Sequence, residues 1–145
     1  MRERRLAREV AVQALYEIAQ SGIAWERALR TNLQRREAGA ETARFAERLV
    51  STVQAQRQAI TAALRQALEN WDLERVALVD RSVLEVGAAE ILFFSDVPLR
   101  VVIDEAVDVA RKFSTDESGA FVNGVLDRIA RDAQASRADS LEAES

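Results

Sequence analysis

Cysteine and histidine are both absent from this chain of 145 residues. Without cysteine there is no disulfide, no thiolate nucleophile and no thiolate zinc site, and the chain suits a reducing, cytoplasmic compartment. Without histidine the usual general base and the commonest metal ligand are missing. A single proline, Pro98, and five glycines leave few breakers of regular backbone. No GxxxxGK or GxGxxG run occurs, so no recognised phosphate cradle is present. Carboxylate pairs such as Asp104 with Asp108 fall on the wet face of a helix, where solvation accounts for them. An enzyme is not expected, nor a metal or a cofactor. The longest apolar region, residues 76–94, is interrupted by Asp80, Arg81, Glu85 and Glu90, so it reads as a buried helix rather than a membrane span. The N-terminus is charged and carries no apolar signal segment.

What is present describes one soluble helical domain. Hydrophobic residues make up 48% and charged residues 30%, and Ala, Leu, Val, Glu and Arg dominate, all but Val strong helix formers. The net charge of −4 is unevenly spread. MRERRLAR, at positions 1–8, holds four Arg against one Glu, whereas the tail from 132 to 145 is acidic. Helical periodicity marks about seven segments and no strand. The first covers residues 3–20, with Val10, Ala11, Ala14, Leu15 and Ile18 on its core arc, and Ser21–Gly22 end it. A second runs over 25–36. The stretch 41–70 allows two helices meeting within 51–56. Asp72 is placed to cap the central helix, which is apolar around most of its girth over 76–94. Pro98 suits the first turn of the next helix, 99–113. Ser114, Thr115 or Asp116 can cap the last one, which runs to about residue 133. The domain therefore spans 1–133, and residues 134–145 read as a polar, disordered tail.

Two places invite a partner. On the first helix, Arg2, Arg5, Glu9, Gln13, Tyr16 and Gln20 fall within roughly 80° of one another, opposite the core arc. Guanidinium groups for phosphates, a ring for stacking and amides for base edges make this a candidate RNA face, extended by Arg4 and Arg8. The same residues also fit a solvated Arg-rich start with Tyr16 half-buried on a neighbour. In FVNGVLDRIARD, residues 121–132, Phe121 stands at the edge of the core arc set by Val122, Val125, Leu126 and Ile129. It either closes the core or faces a partner. Gly124 is expected to bring backbone close to another helix, and Asn123 to bond a loop.

RRLAREVAVQALYE, DRSVLEVGAAEI and the long DVPLRVVIDEAVDVARKFSTDESGAFVNGVLDRIAR together resemble the NusB family of transcription antitermination factors along almost the whole chain. The resemblance implies an all-α bundle of about seven helices in two small subdomains. It implies binding of boxA, a single-stranded RNA element of ribosomal RNA operon leaders, together with the ribosomal protein NusE, within the RNA polymerase antitermination complex. Carried over by position, the RNA surface would use Arg2, Arg4, Arg5, Arg8, Gln13, Glu117, Ser118 and Phe121. The NusE surface would use Tyr16, Glu74 and Asp80, with Tyr16 adjoining both. Glu117 stands where family members often carry Asp, and Glu3 interrupts the Arg cluster. Net acidity fits modest RNA affinity alone that a basic partner improves. Two other readings stand beside this one: a helical protein–protein adaptor without an RNA role, and an rRNA-binding module such as opens certain cytosine-5 ribosomal RNA methyltransferases. The sequence leaves monomer and homodimer both open, with no membrane association.

Overall fold

The computed structural model describes residues 2–69 and 71–144. These form seven α-helices, a single 3-10 turn and no strand: α1 Arg2–Ser21, α2 Trp25–Arg35, α3 Ala40–Ala55, α4 Arg57–Leu68, the turn Leu73–Arg75, α5 Leu78–Phe93, α6 Leu99–Phe113 and α7 Asp116–Glu144. None is long and apolar enough to cross a membrane. Helices α1–α3 pack on one another, α4–α7 form a second group, and α1 and α3 rest on α5 to join the two. One continuous apolar core runs through both groups.

Each boundary has a local cause. α1 stops because Gly22 takes φ 71°, a left-handed conformation that glycine adopts without steric cost, and its N–H closes onto the Ile18 carbonyl at 2.9 Å. The expected break within 51–56 falls at Gln56, between α3, which packs on α1, and α4, which packs on α5 and α7. The expected end of that stretch at residue 70 lies outside the described residues. Pro98 sits one residue before α6, as its N-cap, where its missing N–H costs nothing. Of the three candidates for capping α7, Thr115 does it: its Oγ1 accepts the Ser118 N–H at 3.1 Å.

α5 is the axis of the molecule. Residues 82–91 are all buried, in keeping with the absence of a polar face over most of its length. Gly87 is required by the packing, because a Cβ there would lie 2.6 Å from Leu126 Cδ1 on α7.

Five expectations are corrected. Asp72 does not cap the central helix: it precedes the 3-10 turn, makes no capping side-chain hydrogen bond, and α5 begins later, at Leu78. Gly124 does not admit a neighbouring helix, since a Cβ there would meet nothing within 4 Å, and Asn123 is exposed rather than tied to a loop. Glu9 is not on a wet face; it is 4% exposed beneath α6. Finally, α7 continues as helix to Glu144, although residues 134–143 are all exposed. Ala, Arg, Leu and Glu sustain helical backbone there, while the last apolar contact with the core is Ala133.

Candidate nucleic-acid interface

Helix α1 meets α6 through charges. Arg8, 3% exposed, donates from Nε and Nη2 to both oxygens of Glu90 at 2.8 and 2.7 Å, and from Nη1 to Glu105 at 3.2 Å. A buried fork-to-fork pair of this kind is strong when intact and costly to break from one side. Arg5, one turn earlier, donates to Glu105 and reaches Asp108 Oδ2 at 2.8 Å. Glu9 accepts from Arg36 at 2.7 Å and Lys112 at 2.9 Å. The Arg5 hydrogen bonds, opposed by burial, hold the Glu105 carboxyl below its ordinary range. Burial alone would push Glu9 up, but hydrogen bonds and charge from Arg36 and Lys112 outweigh it, and the net direction is down. Arg4 lies over the Phe45 ring at 4.5 Å and 3.7 Å from Asp96. Hydrogen bonds from Arg48 lower the Asp96 carboxyl to about 2. Arg2 is exposed.

Further along α1 the seam opens. Gln13, Tyr16 and Gln20 line a groove of about 450 Å³ with Asn32 and Arg35 of α2, Val79 of α5 and Phe113 of α6. Tyr16 is half-buried and forms part of the groove wall. A second cleft of about 240 Å³ is lined by Asp80, the residue after Val79, together with Trp71, Arg75, Glu117, Ser118 and Phe121. Phe113, the last residue of α6, leads directly into the turn that launches α7. The tyrosine-bearing groove of α1 and the cleft at the start of α7 thus each draw on the first turn of α5, through Val79 and Asp80 respectively.

Within the cleft the residues differ in what they offer. Glu117 is exposed. Phe121 is half-buried, with its ring edge-on to Trp71 at 6.4 Å, which settles its two readings in part: it closes the core and shows one side outward. Ser118 is buried and donates to Asp80 Oδ2 at 3.0 Å, within a knot that includes Ser114 and Thr115. Asp80 is 8% exposed, and its Oδ1 is the one buried side-chain polar atom among the described residues without a hydrogen-bond partner. Glu74 is exposed in the 3-10 turn, and hydrogen bonds from Arg65 hold its carboxyl at about 2.

The structure thus lines one groove with Gln13 and Tyr16 and a second cleft with Asp80, Glu117, Ser118 and Phe121. Arg5 lies on the same flank of α1, roughly 16 Å from Tyr16 at 1.5 Å per residue. Arg4 turns towards α3 and Asp96, and Arg8 turns inward. No described residues form a cluster of metal-ligating side chains. Sequence reasoning missed Trp71, which is 65% exposed beside Phe121. Its signal was available as a large aromatic in a polar connection, NWD, that no helical period claims. It also missed the carboxylates of α5 and α6 that hold the arginines of α1, because nothing in one helix's pattern names its partner.

Comparison with known proteins places these features in a family. The sequence model described as the NusB family matches residues 5–131. Transcription antitermination protein NusB of Geobacter sulfurreducens is 46% identical over 133 residues, covering 90% of this chain and 95% of the relative. The protein of the same name from Sorangium cellulosum is 42% identical over 130 residues, covering 90% and 93%. Among solved structures, T. maritima NusB superposes with TM-score 0.82 at 34% identity, covering 88% of this chain and 90% of that one. The crystal structure of antitermination factors NusB and NusE in complex with dsRNA gives TM-score 0.84 at 26% identity, covering 90% and 98%.

Proposed function

This chain belongs to the NusB family, and from that premise we propose that it is a transcription antitermination factor, a regulator rather than an enzyme. It binds single-stranded boxA RNA of ribosomal RNA operon leaders together with NusE, in the cytoplasm, and enters the RNA polymerase antitermination complex. The observation that supports this reading is the pair of clefts, one bearing Tyr16 and the other Trp71 and Phe121, that draw on successive residues in the first turn of α5. A flexible strand can lie along such a surface with phosphates on guanidinium groups and bases against rings.

The residues divide by what they expose. Arg2, Arg5, Gln13, Glu117 and Phe121 face the RNA, and Arg4 takes phosphate at the edge nearest α3. Arg8 and Ser118 act from behind, Arg8 by fixing α1 to α5 and Ser118 by fixing the start of α7 to Asp80. Tyr16 and Glu74 face NusE, with Asp80 supporting that side from beneath. Three of the four N-terminal arginines already have intramolecular carboxylate partners. A phosphate gains less from an arginine so engaged, which fits weak RNA binding alone and stronger binding with a basic partner.

The test is equilibrium binding of boxA RNA, a scrambled strand and a duplex, each with and without NusE; the duplex arm answers to the dsRNA in the related complex. The expected result is preference for boxA and tightening by NusE beyond two independent binders. Equal affinity for boxA and scrambled strands in the presence of NusE refutes the boxA preference, and no binding of any strand refutes the RNA role and leaves the adaptor reading.

A further inference from the structure

Arg44, on α3, belongs to none of the surfaces described so far. Where the first turn of α1 rests on α3, Glu3 and Arg4 line a hollow of about 300 Å³ with Glu41, Arg44, Phe45 and Arg48. Arg48 donates from both Nη atoms to Asp96 at 3.2 and 2.8 Å and lies 3.8 Å over the Phe94 ring, so the fold already uses it. Arg4 covers Phe45 and reaches the same carboxylate only at 3.7 Å, too far for a hydrogen bond. Arg44 differs from both: it is exposed, one helical turn before Arg48, and no described residue bonds or pairs with it. The acids nearby do not cancel it. Asp96 is held by Arg48, Glu3 stands next to Arg2, and Glu41 lies in the first turn of α3, where the positive end of the helix offsets it.

We infer that Arg44 extends the RNA site: the strand crosses the first turn of α1 onto α3, where Arg44 and Arg4 hold phosphates of nucleotides flanking boxA. This rests on the RNA-binding reading above and lengthens that surface beyond the residues assigned to it. Arg4 joins the two parts, since it takes phosphate at the α1 edge and lines the α3 hollow. Arg2, exposed in the same turn of α1, adds charge where the strand crosses. The contact reads no sequence. Phe45 and Phe94 are buried beneath guanidinium groups, so neither ring is open for a base to stack on. A guanidinium without a carboxylate partner suits a phosphate oxygen, and phosphate contacts position a strand without specifying its bases.

The probes are boxA RNA alone and boxA carrying at either end a short oligouridine run or the same run without bases, titrated with the full chain and NusE. Extension at one end is expected to tighten binding at least about threefold at low salt, with or without bases, and to steepen the salt slope by roughly 0.7, one single-strand phosphate contact. Arg44→Glu is expected to remove that gain and to leave binding of boxA alone unchanged. Arg27→Glu, the same charge change at an exposed arginine of α2, is expected to keep the gain. Glu41→Gln is expected to enlarge it, an increase that misfolding cannot produce. No gain at either end, a gain that needs the bases, or one that survives Arg44→Glu overturns the extension. So does a loss in Arg27→Glu as large as in Arg44→Glu, which would report net charge alone. The two readings fail separately. BoxA binding without any gain from extension sinks only the α3 contact. An Arg44-dependent gain on a scrambled strand that binds as tightly as boxA sinks only the boxA reading.

Discussion

The α1–α6 seam and the cleft at the start of α7 are built from similar residue types and put them to opposite use. At the seam, Arg5, Arg8 and Glu9 find Glu90, Glu105, Asp108, Lys112 and Arg36, so nearly every charge is answered within the chain. At the cleft, Trp71 and Arg75 are exposed and one oxygen of Asp80 is unanswered. A polar or aromatic residue opposite a core arc is thus no sign of binding in itself. What separates scaffold from recognition is whether another element already satisfies it.

The strongest way to break this contrast is at Arg8. Arg8→Ala strands Glu90 in the core, and leaving one partner of a buried pair uncompensated costs about 3–5 kcal/mol. Differential scanning calorimetry is expected to show a melting temperature lower by on the order of 10 °C. A change within experimental scatter would mean that the seam is ornamental.

Acid attacks the same seam more gradually. Glu9, Glu105 and Asp96 all titrate below their ordinary values in the folded protein. A depressed carboxyl contributes stability above its unfolded pKa and loses it as the pH falls through the folded value. Stability is therefore expected to hold down to about pH 5 and to decline towards about pH 2. Glu85, pushed up by burial against the pull of Arg57 and Arg81, works in the other direction and trims the acid loss. Melting curves across that range check this, and Glu105→Gln should flatten the decline.

Arg5 sharpens the comparison, because it stands between the two regions in character. Arg5 bonds the partly buried Glu105 as well as the solvated Asp108, and Glu105 keeps Arg8 when Arg5 is lost, so Arg5→Gln is expected to cost only about 1 kcal/mol of stability. Its effect should appear instead in boxA binding measured with NusE over a salt series: weaker affinity, and a slope shallower by roughly one phosphate contact. A large stability loss with unchanged RNA binding would move Arg5 into the scaffold. The smallest effect is expected at Gly124, exposed on α7 with open space around it. Gly124→Ala should stabilise by about 0.5–1 kcal/mol by chemical denaturation, since nothing there requires a missing Cβ.

Much of the fold was legible in the sequence. The core arcs of α1, α6 and α7, the girdle of apolar residues on α5, and the stops at Gly22 and Pro98 are consequences of spacing and backbone restriction, which act within a few residues. The site was half legible. Tyr16 and Phe121 could be marked as residues a helical core did not demand, whereas Glu117 entered only through the family resemblance. Arg8 and Ser118 could not be told apart from them, because an arginine beside a solvated arc and an arginine against Glu90 have the same local pattern.

The sequence by itself determined which faces are apolar and where the backbone must stop, since burial and glycine or proline geometry are properties of neighbouring residues. Tertiary structure alone decided which charges are spent and which remain open. Glu90 and Arg8 are 82 residues apart, and Asp80 and Ser118 are 38 apart. Whether such groups meet depends on how α1, α5, α6 and α7 cross, and a charge's chemistry depends on what it meets.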